Sequence, residues 1–221
     1  NDNSNVCGLT LENIVLDGGA QWADAAGGTN DGISAGNSSL LSVRGSAEAY
    51  LLDGTTLRNN EKSGGGAGVW IVGELYVDGG EIVDNAAAGT NRGGAAYLRN
   101  PESVLNLLSG EISNNYAAVG GGVYINNQGT VNLGGGSIAG NEIPSGDSNL
   151  DVNNGSVQIT GAFETGDQVG LTLPELKNGA VAASRADGCD PEDFAAAAQA
   201  LTLDGSPDYQ LSVQGDEIVL S

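Results

Sequence analysis

Residues Leu105 to Ile125 read LNLLSGEISNNYAAVGGGVYI. Aliphatic residues alternate with polar ones, a glycine breaks the run, an isoleucine and an asparagine pair follow, and a glycine run precedes an aromatic between aliphatics. The pattern recurs. Laying the chain on itself without gaps gives five eleven-residue segments: LTLENIVLDGG from Leu9, YLLDGTTLRNN from Tyr50, LYVDGGEIVDN from Leu75, LNLLSGEISNN from Leu105 and VNLGGGSIAGN from Val131. Position three is always aliphatic (Leu11, Leu52, Val77, Leu107, Leu133), as is position eight (Leu16, Leu57, Ile82, Ile112, Ile138), and position eleven is Asn60, Asn85, Asn115 or Asn141 in the last four. A second series, VWI, AYL, VYI and LDV centred on Trp70, Tyr97, Tyr124 and Asp151, recurs every 27 residues, with LSV around Ser42 another 28 upstream.

A fixed period with variable loops is the signature of a solenoid, in which each turn must return to the same place above the last. Alternation over positions one to three is strand periodicity, and glycine at position five or six ends the strand before position eight begins another. The unit therefore reads strand, bend, strand, and the glycine runs Gly64 to Gly66, Gly93 to Gly94 and Gly120 to Gly122 supply the corner into a third strand. The expected fold is an all-β, single-stranded parallel β-helix of about 27 residues per coil. A coil of this size cannot bury enough to stand alone, so stability must come from stacking. Superposed Asn60, Asn85, Asn115 and Asn141 are expected to form a ladder of side-chain amides at the bend, each donating to and accepting from the next coil.

Composition agrees with an ordered, acidic protein. The 221 residues include 37 glycines, yet 39% of the chain is hydrophobic, which is far from a disordered composition. Against 28 acidic side chains stand 7 basic ones and no histidine, a net charge of -21 that repels a phosphate backbone and excludes nucleic acid as a partner. No apolar run is long enough for a membrane span, and a chain starting at Asn without any Met reads as a processed, exported protein after signal removal.

The motif LxV-xx-G-x-I-xx-N followed by GGGVYI resembles the repeat of right-handed parallel β-helices in large bacterial surface proteins of the adhesin-like and autotransporter-related class, particularly those of gut Firmicutes. The stretch LSGEISNNYAAVGGGVYI, residues 108–125, is most similar. The resemblance covers residues 40–155 well, the first forty loosely and the last sixty-five in outline. It implies a pectate-lyase-like solenoid, extracellular or cell-surface exposure and a structural or adhesive role with a host glycan or surface receptor as partner. It supplies no active site.

Three regions follow: an N-terminal coil with a long loop over 1–39, repeats over 40–175 and a cap over 176–221. VQITGAF from Val157 and VGLTLPEL from Val169 read as final strands. Asp190 ahead of Pro191, then Glu192, Asp193 and the FAAAAQA run, predict a short helix from Pro191 to Ala200. YQLSVQGDEIVLS predicts a hairpin turning at Gln214-Gly215-Asp216. Helix and hairpin would cover the strand edges that a solenoid end exposes. The other end shows no such cap; residues 17–39, with Trp22, either cover the first coil or project from it, and an open coil would permit axial stacking of subunits. Cys7 and Cys189 sit near opposite ends, leaving three readings: free thiols, an internal bridge to a folded-back tail, or a head-to-tail inter-subunit disulfide.

Chemistry is sparse. Lyases need a basic residue beside calcium-binding carboxylates, and glycosidases two carboxylates across a cleft. Arg44, Arg58, Arg92, Arg99 and Arg185 fall at different phases of the repeat, and no Asp pair shares an outward position on neighbouring coils. Without His, transition-metal ligands are lacking. Asp187, Asp190, Glu192 and Asp193 are close enough to suggest calcium, but the helix start accounts for most of them. No metal, cofactor or catalytic residue is expected. Trp70, Tyr97 and Tyr124 stack one per coil, either filling the core or, if the flanking Val69, Ile71, Val123 and Ile125 fill it, forming an exposed aromatic strip that could receive sugar rings. The expectation is a non-catalytic extracellular structural or adhesive β-helix, with end-to-end assembly into a fibre; a polysaccharide lyase or hydrolase, or a glycan-binding module, is the alternative.

Overall fold

Inward aliphatics on short strands can be covered only by the same positions of the next turn, and this is how the chain folds. The computed structural model describes residues 7–19 and 38–221. Over these residues it is an all-β parallel solenoid of about five turns, about 27 residues each, with one short helix. Three faces alternate along the chain. The first stacks Gly8–Leu11, Glu48–Leu52, Glu74–Asp78, Val104–Leu107, Thr130–Leu133, Ser156–Ile159 and Val181–Arg185. The second stacks Val15–Asp17, Thr56–Arg58, Glu81–Val83, Glu111–Ser113 and Ser137–Ala139, and the third Leu41–Val43, Val69–Ile71, Ala96–Leu98, Val123–Ile125 and Leu150–Asp151. Strand Val169–Thr172 joins both, pairing Val169 with Ile138 and Leu171 with Leu150, so the second and third faces merge at the bottom.

The core is a set of columns. Leu9, Ala49, Leu75, Leu105, Val131 and Val157 lie over one another on the first face, and Leu16, Leu57, Ile82, Ile112 and Ile138 on the second. Val43, Ile71, Leu98 and Ile125 make a column on the third. From the second turn onward these side chains are buried, whereas Leu9 in the first turn is 44% exposed, with no described strand above it. The gapless alignment is corrected at one point. Leu51, not Leu52, pairs with Val77 and is buried, while Leu52 pairs with Asp78. Thr56 and Glu81 are again in register, so the Asp53-Gly54-Thr55 bend absorbs one extra residue.

Each bend is set by a residue that tolerates positive φ. Immediately before the ladder asparagines stand Asn59, Asp84, Asn114 and Gly140, with φ of 55°, 56°, 55° and 66°. These are the residue types for which the left-handed region costs least. At the other corner, Gly66, Gly93 and Gly120 have φ of 65°, 68° and 59°, each three residues ahead of an aromatic-bearing strand.

The C-terminal cap is as the sequence indicates. Asp190 caps the helix Pro191–Ala200 by accepting from the Glu192 N–H at 2.8 Å, with Pro191 at the start and Phe194 and Ala197 buried. Strands Leu211–Gln214 and Glu217–Leu220 form the hairpin around Gly215, and Glu217–Leu220 runs antiparallel to Val181–Arg185, closing the first face. Most of the 17–39 excursion, including Trp22, lies outside the described residues.

Candidate functional site

The four ladder asparagines superpose and hydrogen-bond as a continuous chain that extends beyond them. The Asn60 N–H donates to Asn85 Oδ1 at 3.1 Å; Asn85 and Asn115 each give both N–H and Nδ2 to the next Oδ1, on Asn115 and Asn141, at 2.9 to 3.1 Å. Asn141 donates in the same way to Asn149, and Asn149 to Asp204, whose carboxylate also accepts from Thr172 Oγ1 at 3.0 Å. The remaining Nδ2 hydrogens meet backbone carbonyls such as Leu57, Ile82 and Ile112. Asn149 lies only eight residues after Asn141, outside the period, because the hairpin Glu142–Ile143 with Gly146–Asp147 is inserted between them. Asp204 can only accept, which suits it to end a ladder in which every amide donates downward.

The outward row of the third face runs Ser42, Trp70, Tyr97, Tyr124, Asp151 and Thr172. The flanking aliphatics are inside, so the aromatics face out. The rings of Trp70 and Tyr97 stack at 4.9 Å and 20°, those of Tyr97 and Tyr124 at 5.7 Å and 14°. The row faces outward, as an aromatic strip requires, but is less exposed than expected. Trp70 and Tyr97 are half-buried, Tyr124 is only 6% exposed, and the rings cover one another's faces rather than lying flat to receive sugars. Arg92 lies 5.3 Å from the Tyr124 ring, and Lys62 Nζ 4.8 Å and Arg99 6.0 Å from that of Trp70. Asp151, next below Tyr124, has its carboxyl pushed up to about 6, mainly by burial; the Asn153 N–H and Arg92 oppose the shift, and Asp204 adds to it.

A second aromatic stack on the first face is not evident in the repeat. Tyr50 and Tyr76 stack at 4.6 Å and 9°, each hydroxyl donating at 2.7 Å to a glutamate two residues earlier, Glu48 or Glu74. The one-residue slip at Leu52 hides this pair, because the gapless alignment sets Tyr50 opposite Leu75.

No Asp pair was expected at a shared outward position, but two Glu pairs occur. Glu81 and Glu111 are register neighbours in a 440 Å³ groove lined also by Ser137 and Gln168. Glu48 and Glu74 are neighbours in a 390 Å³ hollow shared with Glu102. Neither hollow is lined by a basic residue.

No family model, no characterised protein and no solved structure matches this chain. The resemblance to adhesin-like surface proteins therefore rests on the repeat itself, and the structure carries it as far as a parallel β-solenoid.

The remaining candidate residues lie apart. Cys7 is exposed at the first turn, and Cys189 is 5% exposed in the cap with its Sγ 3.6 Å from the Asp190 carbonyl. The tail stays at the bottom of the solenoid instead of folding back, so the internal bridge has no route. A head-to-tail bridge would require the cap to open, and burial together with Asp193 pushes the Cys189 thiol up, disfavouring the thiolate needed for exchange. Among the described residues no three His, Cys, Asp or Glu side chains converge as a metal site, and Asp190 is engaged as the helix cap. Among the described residues no helix is long and apolar enough to cross a membrane.

Proposed function

We propose that this chain is a non-catalytic structural and adhesive β-solenoid of the bacterial cell exterior, and that its first turn is a stacking end. The observation that carries this reading is the inequality of the two ends. The C-terminal end is closed by helix and hairpin. At the other end, among the described residues, nothing pairs with the outer edges of Gly8–Leu11, Val15–Asp17 and Leu41–Val43, and Leu9, Ile14 and Val15 are 44%, 39% and 48% exposed. Such an edge is a template for another strand. Because the capped end offers no matching turn, the partner is the first turn of a second copy, related by a two-fold axis. The proposed assembly is thus a closed pair, where the sequence reading expects end-to-end assembly into a fibre.

Sedimentation velocity over a concentration series tests this. The chain dimerises, and the double variant Leu9→Lys with Ile14→Lys stays monomeric while retaining its β-sheet circular dichroism. A monomer at every concentration, or a double variant that associates equally well, contradicts the reading. A polysaccharide hydrolase is the second reading, favoured by Glu81 beside Glu111; release of reducing sugar that Glu81→Gln and Glu111→Gln both abolish would establish it.

A further inference from the structure

Seven basic residues serve a chain with 28 acidic ones, and their placement is uneven. Arg58, Lys177 and Arg185 are in ion pairs with Asp17, Glu175 and Asp216. Among the described residues, Arg44, Lys62, Arg92 and Arg99 are in none, and Lys62, Arg92 and Arg99 approach the aromatic row of the third face. That row changes size abruptly at its upper end, where Ser42 stands over Trp70. The step leaves a hollow of 190 Å³ lined by Ser38, Ser39, Ser42, Arg44, Lys62 and Trp70.

Two features of this hollow point to a ligand. The first is charge. Lys62 is 8% exposed, and its ammonium donates to Ser39 Oγ at 3.0 Å and the Gly65 carbonyl at 2.7 Å, both neutral acceptors. Lysine is seldom buried so deeply without a carboxylate. Burial pulls the Lys62 pKa down, and the charge of Arg44 acting on the ammonium pulls it in the same direction. Two cations repelling one another beside a hollow are relieved by an anion placed between them. The second feature is shape. Trp70 stacks on Tyr97 and the Lys62 ammonium lies 4.8 Å from its ring, so the hollow is walled by the uncovered part of the indole and the hydroxyls of Ser38, Ser39 and Ser42, a lining that suits a polyhydroxylated ring packed beside the indole rather than stacked on it.

We propose that the hollow at Ser42, Arg44, Lys62 and Trp70 binds a carboxylated sugar, a single hexuronate residue whose one charge meets a local pair of cations, whereas the net charge of -21 would repel a uniformly acidic glycan. Its carboxylate lies between Arg44 and Lys62, its ring beside the Trp70 indole, and its hydroxyls meet the serines. Sugar is favoured over an acidic peptide because the hollow itself is walled by hydroxyls and an indole; a peptide paired on the open edge of Leu41–Val43 is the competing occupant that the titration tests. The hollow shares the strand Leu41–Val43 with the proposed stacking end, so the titration is repeated on the monomeric Leu9→Lys, Ile14→Lys variant, which separates failure of the site from failure of the stacking.

Trp70 can report binding directly. The chain has two tryptophans, and Trp22→Phe leaves Trp70 as the sole indole. Fluorescence of that variant is titrated with sodium glucuronate, glucose, sodium acetate and a Glu-Glu-Glu peptide. Glucuronate shifts the emission saturably, and added salt weakens it; glucose and acetate each bind at least about tenfold more weakly, because each supplies one half of the recognition. Arg44→Gln, at an exposed position that leaves the core intact, weakens glucuronate at least about tenfold, and so does Lys62→Gln if its circular dichroism matches the parent. Absence of any glucuronate response, equal binding of glucose, equal binding of acetate, tighter binding of the peptide, or an unchanged affinity in Arg44→Gln overturns the proposal.

Discussion

Asn115 shows what a single side chain does in this molecule. Its Nδ2 donates to the Ile82 and Ser113 carbonyls and to Asn141 Oδ1, while its own Oδ1 accepts twice from Asn85, all in a fully buried setting. Asn115→Ala strands donors and acceptors on three turns at once, and each buried orphan costs about 1 to 3 kcal/mol. Chemical denaturation is expected to show a loss of roughly 3 kcal/mol or more, against about 1 for Asn60→Ala, where the ladder begins and water reaches the side chain. Equal losses would mean that the ladder does not act as a unit. Asp151 gives the pH counterpart. Burial raises its folded pKa from 3.8 to about 6, so the folded state holds a proton that the unfolded state has released. At pH 4 and below the residue costs nothing; as pH rises through the window up to 6 stability is lost, and it stays lost above. Asp151→Asn keeps the acceptor for the Asn153 N–H and removes the charge. Its stability relative to the parent is expected to be near zero at pH 4 and to grow to ~2 kcal/mol or less at pH 7, discounted for partial exposure. A difference independent of pH would contradict this.

At the scale of the element, what could be read from the sequence was whatever the 27-residue period enforces. Strand positions, inward columns and the four central asparagines repeat because every turn meets the same neighbours. The helix and hairpin were legible for a different reason: Asp190 and Pro191 before an alanine-rich run, and Gln214-Gly215-Asp216 between alternating strands, are local signals that need no tertiary context. The misses lie where periodicity is broken. Asn149 and Asp204 extend the ladder from irregular positions, one below an inserted hairpin and one in the cap, and no spacing announces them. The extra residue at Asp53-Gly54-Thr55 displaced Leu52 from the core and concealed the Tyr50 and Tyr76 stack. For the candidate pocket, Trp70 was visible as a member of the aromatic series. Arg44 and Lys62 were not, since they occupy different phases of the repeat and meet only because Ser42 leaves room above the indole.

For the whole molecule, stability belongs to the stack rather than to any turn, and the unit of change is therefore one complete turn. Residues 96–122 form such a unit. Removing them joins Ala95 to Val123 and brings Val69–Ile71 over Val123–Ile125, Glu74–Asp78 over Thr130–Leu133, and Asn85 over Asn141, preserving every column. Removing about half as many residues, 96–108, puts each later strand opposite the wrong face. Thermal unfolding of the two shortened chains, followed by circular dichroism, measures the difference directly. Stacking in register predicts that the chain lacking 96–122 melts cooperatively from a β-rich state at a temperature below that of the full chain, while the chain lacking 96–108 shows no cooperative transition. Equal damage by both deletions would contradict it.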